Sequence, residues 1–345
     1  MAAITISELQ EQAIAYASDC VDANAESKKF QFATGNQVAF ETGEGFNMVG
    51  TLNEWAFGQV CSRLNVPAGW LGNPDACPEA LKVDVLNDLA SVYRDSANYL
   101  VRMKGNVIRA LLSNQYSIFD NKEFVDLVGE AVSTMGITPS VARYTLDDDM
   151  RAYIVFPNVT FAPDPSSITR LPGEPRGNND DGGLHPAIYV SNSERGGRSA
   201  KVVGAVFRSV CTNGMIFGWR EENAFVVRHR FHSKAMMAAM VADGIAEGLK
   251  MSEEATRKFI ASQDKKIPAP NLRPLVDHWA GKYGITVEAK ENWLASITNE
   301  AIVNGRHEDV RVFDMVNAAT YVAQTRNGSE VEHIERMAGD ILRAF

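Results

Sequence analysis

Three segments decide the fold: HPAIYVSNS at 185–193, SAKVVGAVFRSVC at 199–211 and NAFVVRHRF at 223–231. Each is rich in β-branched and aromatic residues and alternates with a period near two, the pattern of half-buried strands. Glu194-Arg195-Gly196-Gly197 separates the first two, and Asn213-Gly214 follows the second. Asn-Gly favours positive φ and so reads as a hairpin turn. Residues 185–231 are therefore expected to be the strand-rich heart of the chain.

Working outward, YLVRMKGNVIRALLS from Tyr99 reads as two strands turning at Lys104-Gly105-Asn106. Asp120 with Glu123 has capping-box spacing and opens a helix whose face carries Phe124, Leu127, Val128 and Ala131. Residues 137–161 return to strands around a polar turn at Asp147-Asp148-Asp149. Four prolines and four glycines mark 162–184 as a long loop, mobile or ordered by a partner. The N-terminal third reads mostly as helices. Ser7 with Gln10 opens one expected to reach about Asn24, and Thr51 with Glu54 opens another. A hairpin is expected within 30–50. Beyond Ser233 the pattern is helical to the end, broken at Pro268–Pro274 and around Asn304-Gly305. Segregated helices and strands predict an α+β fold: a central antiparallel β-sheet with an inserted helix, flanked by helical N-terminal and C-terminal regions. The implied regions are 1–98, 99–232 and 233–345.

The net charge of −9 argues against a protein that coats nucleic acid with its whole surface. The charge is uneven. Residues 1–100 hold 5 basic and 13 acidic side chains, net −8, whereas 101–234 hold 16 and 14, net +2. A site for an anionic partner is expected in the middle region. No apolar run approaches the roughly 18 residues of a membrane helix. The start MAAITISELQ has no basic stretch followed by an apolar one. No membrane association and a cytoplasmic location are expected. Cys20, Cys61, Cys77 and Cys211 form no C-x-x-C pair and read as reduced core thiols.

No phosphate-loop, dinucleotide, nucleophile-elbow or H-E-x-x-H motif is present. No cofactor and no metal are expected, and no catalytic residue is nominated. The strongest chemical pattern is Phe225-Val226-Val227-Arg228-His229-Arg230-Phe231-His232. On a strand, Arg228, Arg230 and His232 would share one face. Arg195, Arg198 and Lys201 lie near the adjacent turn, and Arg208 and Arg220 flank Asn-Gly. Guanidinium forks match phosphate oxygens, so these seven basic residues are the expected nucleic-acid contacts. Tyr116, Tyr144, Tyr153 and Tyr189 could stack on bases. The alternative is a solvated sheet face whose arginines pair with Glu194, Glu221 and Glu222. A Ser193-Glu194 pair near the histidines is a weaker pointer to hydrolysis.

RALLSNQYSIFDNKEFVDLVGE at 109–130, SNSERGG at 191–197, FRSVCTNGM at 207–215 and NAAT at 317–320 resemble, in that order, the phage/plasmid-like protein family, a domain of unknown function. The resemblance spans roughly 80–325. Arg195 departs from it, standing where a small or aliphatic residue is expected. It implies a gene carried by phages, prophages or plasmids, often among DNA-metabolism genes. The expected function is sequence-tolerant single-stranded DNA binding as an annealing or recombination accessory, which would favour a homo-oligomer. The alternatives are a host-directed interaction protein, such as a defence inhibitor with a host or phage protein partner, and a nucleotide or nucleic-acid hydrolase.

Overall fold

The computed structural model describes residues 3–92, 98–136, 138–156, 184–208, 213–216, 225–229, 234–303, 309–326 and 329–345. The fold is α+β, and its strands divide between two sheets. The first comprises β1 (Cys20–Glu26), β2 (Gln31–Ala33), β3 (Gln37–Glu41), β4 (Asn47–Leu52), β5 (Asn98–Lys104) and β6 (Val107–Ser113). They run in the order β1-β5-β6-β4-β3-β2. All neighbours are antiparallel except β4 and β6, which are parallel. The second comprises β7 (Ser140–Thr145), β8 (Asp149–Val155), β9 (Leu184–Ser193), β10 (Ala200–Arg208), β11 (Asn213–Ile216) and β12 (Phe225–Val227). It is antiparallel in the order β11-β10-β9-β8-β7, and β12 shares the β10 edge with β11.

The middle of the chain is therefore not one sheet. β5 and β6 complete the first sheet, and hydrogen bonds between β1 and β5 cross the 98/99 boundary suggested by sequence. The β5–β6 turn lies where expected, with Gly105 at φ 56° supplying the left-handed residue. Asn213-Gly214 is not a turn. It opens β11, with Asn213 opposite Arg208 on β10. The connecting residues 209–212, residues 162–183 of the expected loop at 162–184, and residues 304–305 lie outside the described residues, while Leu184 already opens β9.

Helix α1 (Ile6–Ala17) ends before β1 instead of reaching Asn24. Its capping box is Thr5 with Glu8, two residues ahead of Ser7 and Gln10. Helix α2 (Glu54–Arg63) is capped by Asn53, because Thr51 is still hydrogen-bonded into β4. Helices α2, α3 (Ala68–Leu71) and α4 (Glu79–Val92) cover one face of the first sheet over Phe40, Phe57, Leu86, Val101, Met103 and Ile108. Helix α5 (Asn121–Thr134) and the first half of α6 (Lys234–Ala261) cover one face of the second, over Met150, Ala152, Ile154, Ile188 and Val190. The second half of α6 joins α7 (Leu272–Tyr283), α8 (Val287–Val303), α9 (Val312–Gln324) and α10 (Ser329–Ala344) around Phe259, Trp293, Phe313 and Val316. One helix thus belongs to two cores. Among the described residues no helix is long and apolar enough to cross a membrane.

α6 lies against β10 through a glycine pair. A Cβ on Gly204 would sit 2.6 Å from the Gly248 carbonyl oxygen and 2.8 Å from Met251 Cβ. Neither atom is the end of a flexible side chain, so the helix would have to move. Gly204→Ala is expected to lower the unfolding free energy by about 1–3 kcal/mol or more, read from urea denaturation. An unchanged midpoint would mean the helix has room to shift.

Candidate functional site

The turn SNSERGG (191–197) enters the space between the two sheets, and its residues diverge there. Ser191, Asn192, Ser193 and Glu194 are buried, whereas Arg195 is half-buried. Asn192 Nδ2 donates to the Phe119 carbonyl and to Asn121 Oδ1, both at 3.0 Å. The Ser193 hydroxyl accepts from the Gly197 N–H at 3.0 Å, and its carbonyl accepts from the Tyr116 hydroxyl at 3.0 Å. Gly196 adopts φ 75°, and a Cβ there would lie 2.7 Å from Leu112 Cδ2. The positive φ therefore favours glycine there, and a side chain would also press on the tip of Leu112.

Glu194 points inward to a charge cluster built on β5 and β6. Arg109 Nη1 donates to Glu194 Oε2 at 2.5 Å and to Asp148 Oδ1 at 2.9 Å. Glu194 Oε1 accepts from the Asn121 N–H at 2.7 Å. Arg102 donates to both Asp22 oxygens (2.9 and 3.0 Å), to Asp120 Oδ1 (2.6 Å) and to the Glu194 carbonyl (2.9 Å). The bidentate Asp22 contact follows from register, because the two residues are cross-strand partners on β1 and β5. Asp120 does start α5, but its carboxylate serves Arg102 and makes no cap hydrogen bond. Tyr16 donates to Asp148 Oδ1 at 2.8 Å.

Arg102 and Arg109 are 1% and 2% exposed, so both cations are shielded from bulk water. Burial opposes their charge, yet the surrounding carboxylates hold both guanidinium pKa values above the ordinary range. Burial pushes the Glu194 carboxyl up, the Asp120 charge adds to this, and Arg109 opposes it. Alongside, the His229 ring stacks on Tyr116 with centroids 4.8 Å apart and planes 9° apart. Burial lowers the His229 pKa to about 4, and the Arg102 charge acts in the same direction.

Arg195 turns the other way. Its guanidinium lies 4.6 Å over the ring of Trp55, which is 38% exposed, and Nη2 pairs with Asp149 Oδ2 at 2.5 Å. Its carbonyl accepts from Trp55 Nε1 (3.1 Å) and Gln59 Nε2 (3.2 Å). Gln59 is fixed in turn by the Leu111 N–H, which it accepts at 2.8 Å. These groups, with Asn53, Glu54, Gly58 and Ser62, line an open cleft of about 610 Å³.

Of the seven expected basic residues, Arg195, Arg198, Lys201 and Arg228 have described side chains. Arg195 lies within the turn and Arg198 directly follows it. Each is committed to a carboxylate the sequence did not indicate: Asp149 for Arg195, and Glu332 at 3.1 Å for Arg198. Lys201 lies in β10 opposite Ser191 and Val226. Arg208 ends that strand opposite Leu184. Arg228 is exposed just past β12, which stops at Val227. The Arg208 side chain, Arg220 and Arg230 lie outside the described residues, as do Cys211 and His232. Tyr153 and Tyr189 are 2% exposed, and Tyr116 is covered by His229, so these rings are not surface platforms. Among the described residues no group of three His, Cys, Asp or Glu side chains could hold a metal ion.

Sequence reasoning missed Trp55, Asp22, Arg102, Arg109 and Asp148 as site residues. Arg109, Tyr116, Asp120 and Asn121 all fall in the 109–130 stretch that carried the family resemblance. Nothing local marked Trp55 or Asp22.

No curated protein and no solved structure matches the chain. A family model matches residues 110–299, starting within β6 and taking in α5, the whole second sheet, α6, α7 and nearly all of α8. That match covers more than half of the chain, which therefore belongs to the family defined by the domain of unknown function DUF932.

Proposed function

We propose that this protein binds single-stranded nucleic acid, DNA in the first place, at the cleft where Trp55 meets Arg195. The observation that carries the reading is the exposed indole with a guanidinium 4.6 Å above it in an open cleft. An aromatic face stacks on any base, and a neighbouring cation meets the backbone. Asn53, Gln59 and Ser62 add hydrogen-bonding groups. Arg198, Lys201, Arg208, Arg220, Arg228 and Arg230 would supply further phosphate contacts, each adding to salt dependence. The resemblance to phage- and plasmid-borne proteins supports the same reading, with the protein acting in the cytoplasm as an annealing or recombination accessory, alone or as a homo-oligomer.

The test is fluorescence anisotropy of a labelled oligo-dT across a salt series. Binding is expected to fall steeply with salt. Trp55→Ala is expected to weaken it by roughly tenfold, since stacking on one base contributes about 1–3 kcal/mol. Arg228→Ala/Arg230→Ala is expected to flatten the salt slope. No binding at low salt would end this reading and favour a protein-interaction role.

A second reading, nucleotide or nucleic-acid hydrolysis, has one observation in its favour. Glu194 and His229, both with shifted pKa values, lie near Ser193 and Tyr116. Hydrolysis that disappears in Glu194→Gln, with folding intact, would establish it.

A further inference from the structure

The second sheet has a face that α5 and α6 do not cover. Register brings a polar group together there: Arg143 lies opposite Tyr153, and Tyr153 opposite Tyr189. Arg151 is on the same face, two residues before Tyr153 on β8. α10 meets this face with Glu332 and Glu335. Glu335 accepts from the Tyr153 hydroxyl at 2.5 Å and from Arg143, whose guanidinium lies 4.7 Å over the Tyr153 ring. Glu332 accepts from Arg198 at 3.1 Å and lies 3.4 Å from Arg151 Nε.

Between the sheet and the α9–α10 pair remains a cavity of about 390 Å³. Arg326, just past α9, also lines it. Its Nη2 pairs at 3.0 Å with Glu288, which is 75% exposed, and its buried Nε has no hydrogen-bond partner among the described residues. The cavity is half-open, with five charged side chains in an otherwise largely apolar lining, and it falls within the roughly 300–1,000 Å³ of small-molecule sites.

The charge of the lining points to the sign of that occupant. Three guanidinia, Arg143, Arg151 and Arg326, face two carboxylates, Glu332 and Glu335. Both carboxylates already accept from arginine or tyrosine, whereas the buried Arg326 Nε has no acceptor among the described residues, so the lining offers an unmet donor. An anion would meet guanidinium groups on two sides, and Glu288, 75% exposed, can yield Arg326 to it. We propose that this cavity binds a small phosphate monoester or free phosphate, with Arg326 at its mouth and Arg143 and Arg151 on the sheet. The site is separate from the Trp55 cleft, sharing no lining residue with it.

The test is isothermal titration of the full chain with inorganic phosphate and with dAMP, alongside thermal unfolding, at an ionic strength held constant with chloride. Saturable binding and a rising Tm are expected with at least one probe. Tighter binding of dAMP would assign a mononucleotide. Equal affinity would assign the phosphate group alone. Arg326→Gln is expected to weaken binding about tenfold or more, the effect of losing one charge-assisted contact. Gln324→Glu, a change at an exposed lining residue, is expected to weaken it similarly by placing a like charge at the site. Trp55→Ala is expected to leave it unchanged, which separates this site from the nucleic-acid cleft. Absence of saturable binding by both probes, or full affinity in both Arg326→Gln and Gln324→Glu, would overturn the proposal.

Discussion

Glu194→Ala is expected to lower the unfolding free energy by about 3–5 kcal/mol, the usual result of leaving one member of a buried ion pair uncompensated. Both side chains of the Arg109–Glu194 pair are 2% exposed. Without Glu194, Arg109 keeps only its contact to Asp148, and its Nε and Nη2 already lack hydrogen-bond partners among the described residues. The Asn121 N–H at the start of α5 would lose its acceptor as well. Such a loss is a large part of the roughly 5–15 kcal/mol that holds a domain folded. Glu194→Gln keeps an acceptor for Asn121 and should cost less. The double change Arg109→Met/Glu194→Leu removes both charges and should recover much of the loss, because a buried pair replaced by apolar residues is often neutral or better. Urea denaturation of the three variants separates these cases. A loss below about 1 kcal/mol in Glu194→Ala would mean that water reaches Arg109, as it does at exposed pairs.

Acidification is expected to destabilise the fold through His229. Its pKa falls from an ordinary 6.5 to about 4 because the ring is buried against Tyr116 beside Arg102. The folded state therefore prefers the neutral ring, whereas the unfolded chain takes up a proton near 6.5. Stability from this group is complete above pH 6.5. It declines as pH falls toward about 4 and is constant below that, a total on the order of 3 kcal/mol. His229→Phe keeps an aromatic ring over Tyr116 and removes the titration. Urea midpoints at pH 7, 5.5 and 4.5 should fall steeply in the wild type and less so in the variant. Equal slopes would mean that the acid sensitivity does not come from His229.

Much of the framework was legible because its signals are local. The period-two runs at 99–113, within 137–161, and at 185–193 and 199–211 supply strands over their described residues, and the Lys104-Gly105-Asn106 turn lies where a positive φ was needed. The helical pattern after Ser233 holds over the described residues. The N-terminal third was harder to read. CVDANAE lacks a run of β-branched residues, and it forms β1 because β5 offers a complete antiparallel ladder and Arg102 receives Asp22 across it. Asn213-Gly214 carries turn chemistry yet pairs in a strand, because β10 extends to Arg208 and places Asn213 opposite it. Tertiary pairing outweighed local preference in both cases.

The sequence by itself determined the fold class, the positions of the strands around the SNSERGG turn, and the family to which that turn belongs. Only the tertiary structure decided what the turn's charged residues meet. Glu194 finds Arg109, 85 residues away, and the Arg195 carbonyl finds Trp55, 140 residues away. Hydrophobic periodicity records which face of an element is buried, because burial repeats with backbone geometry. Ion-pair partners carry no such period. They are fixed by which strands come side by side and in what register, so the basic residues counted along the chain could be placed only after both sheets had formed.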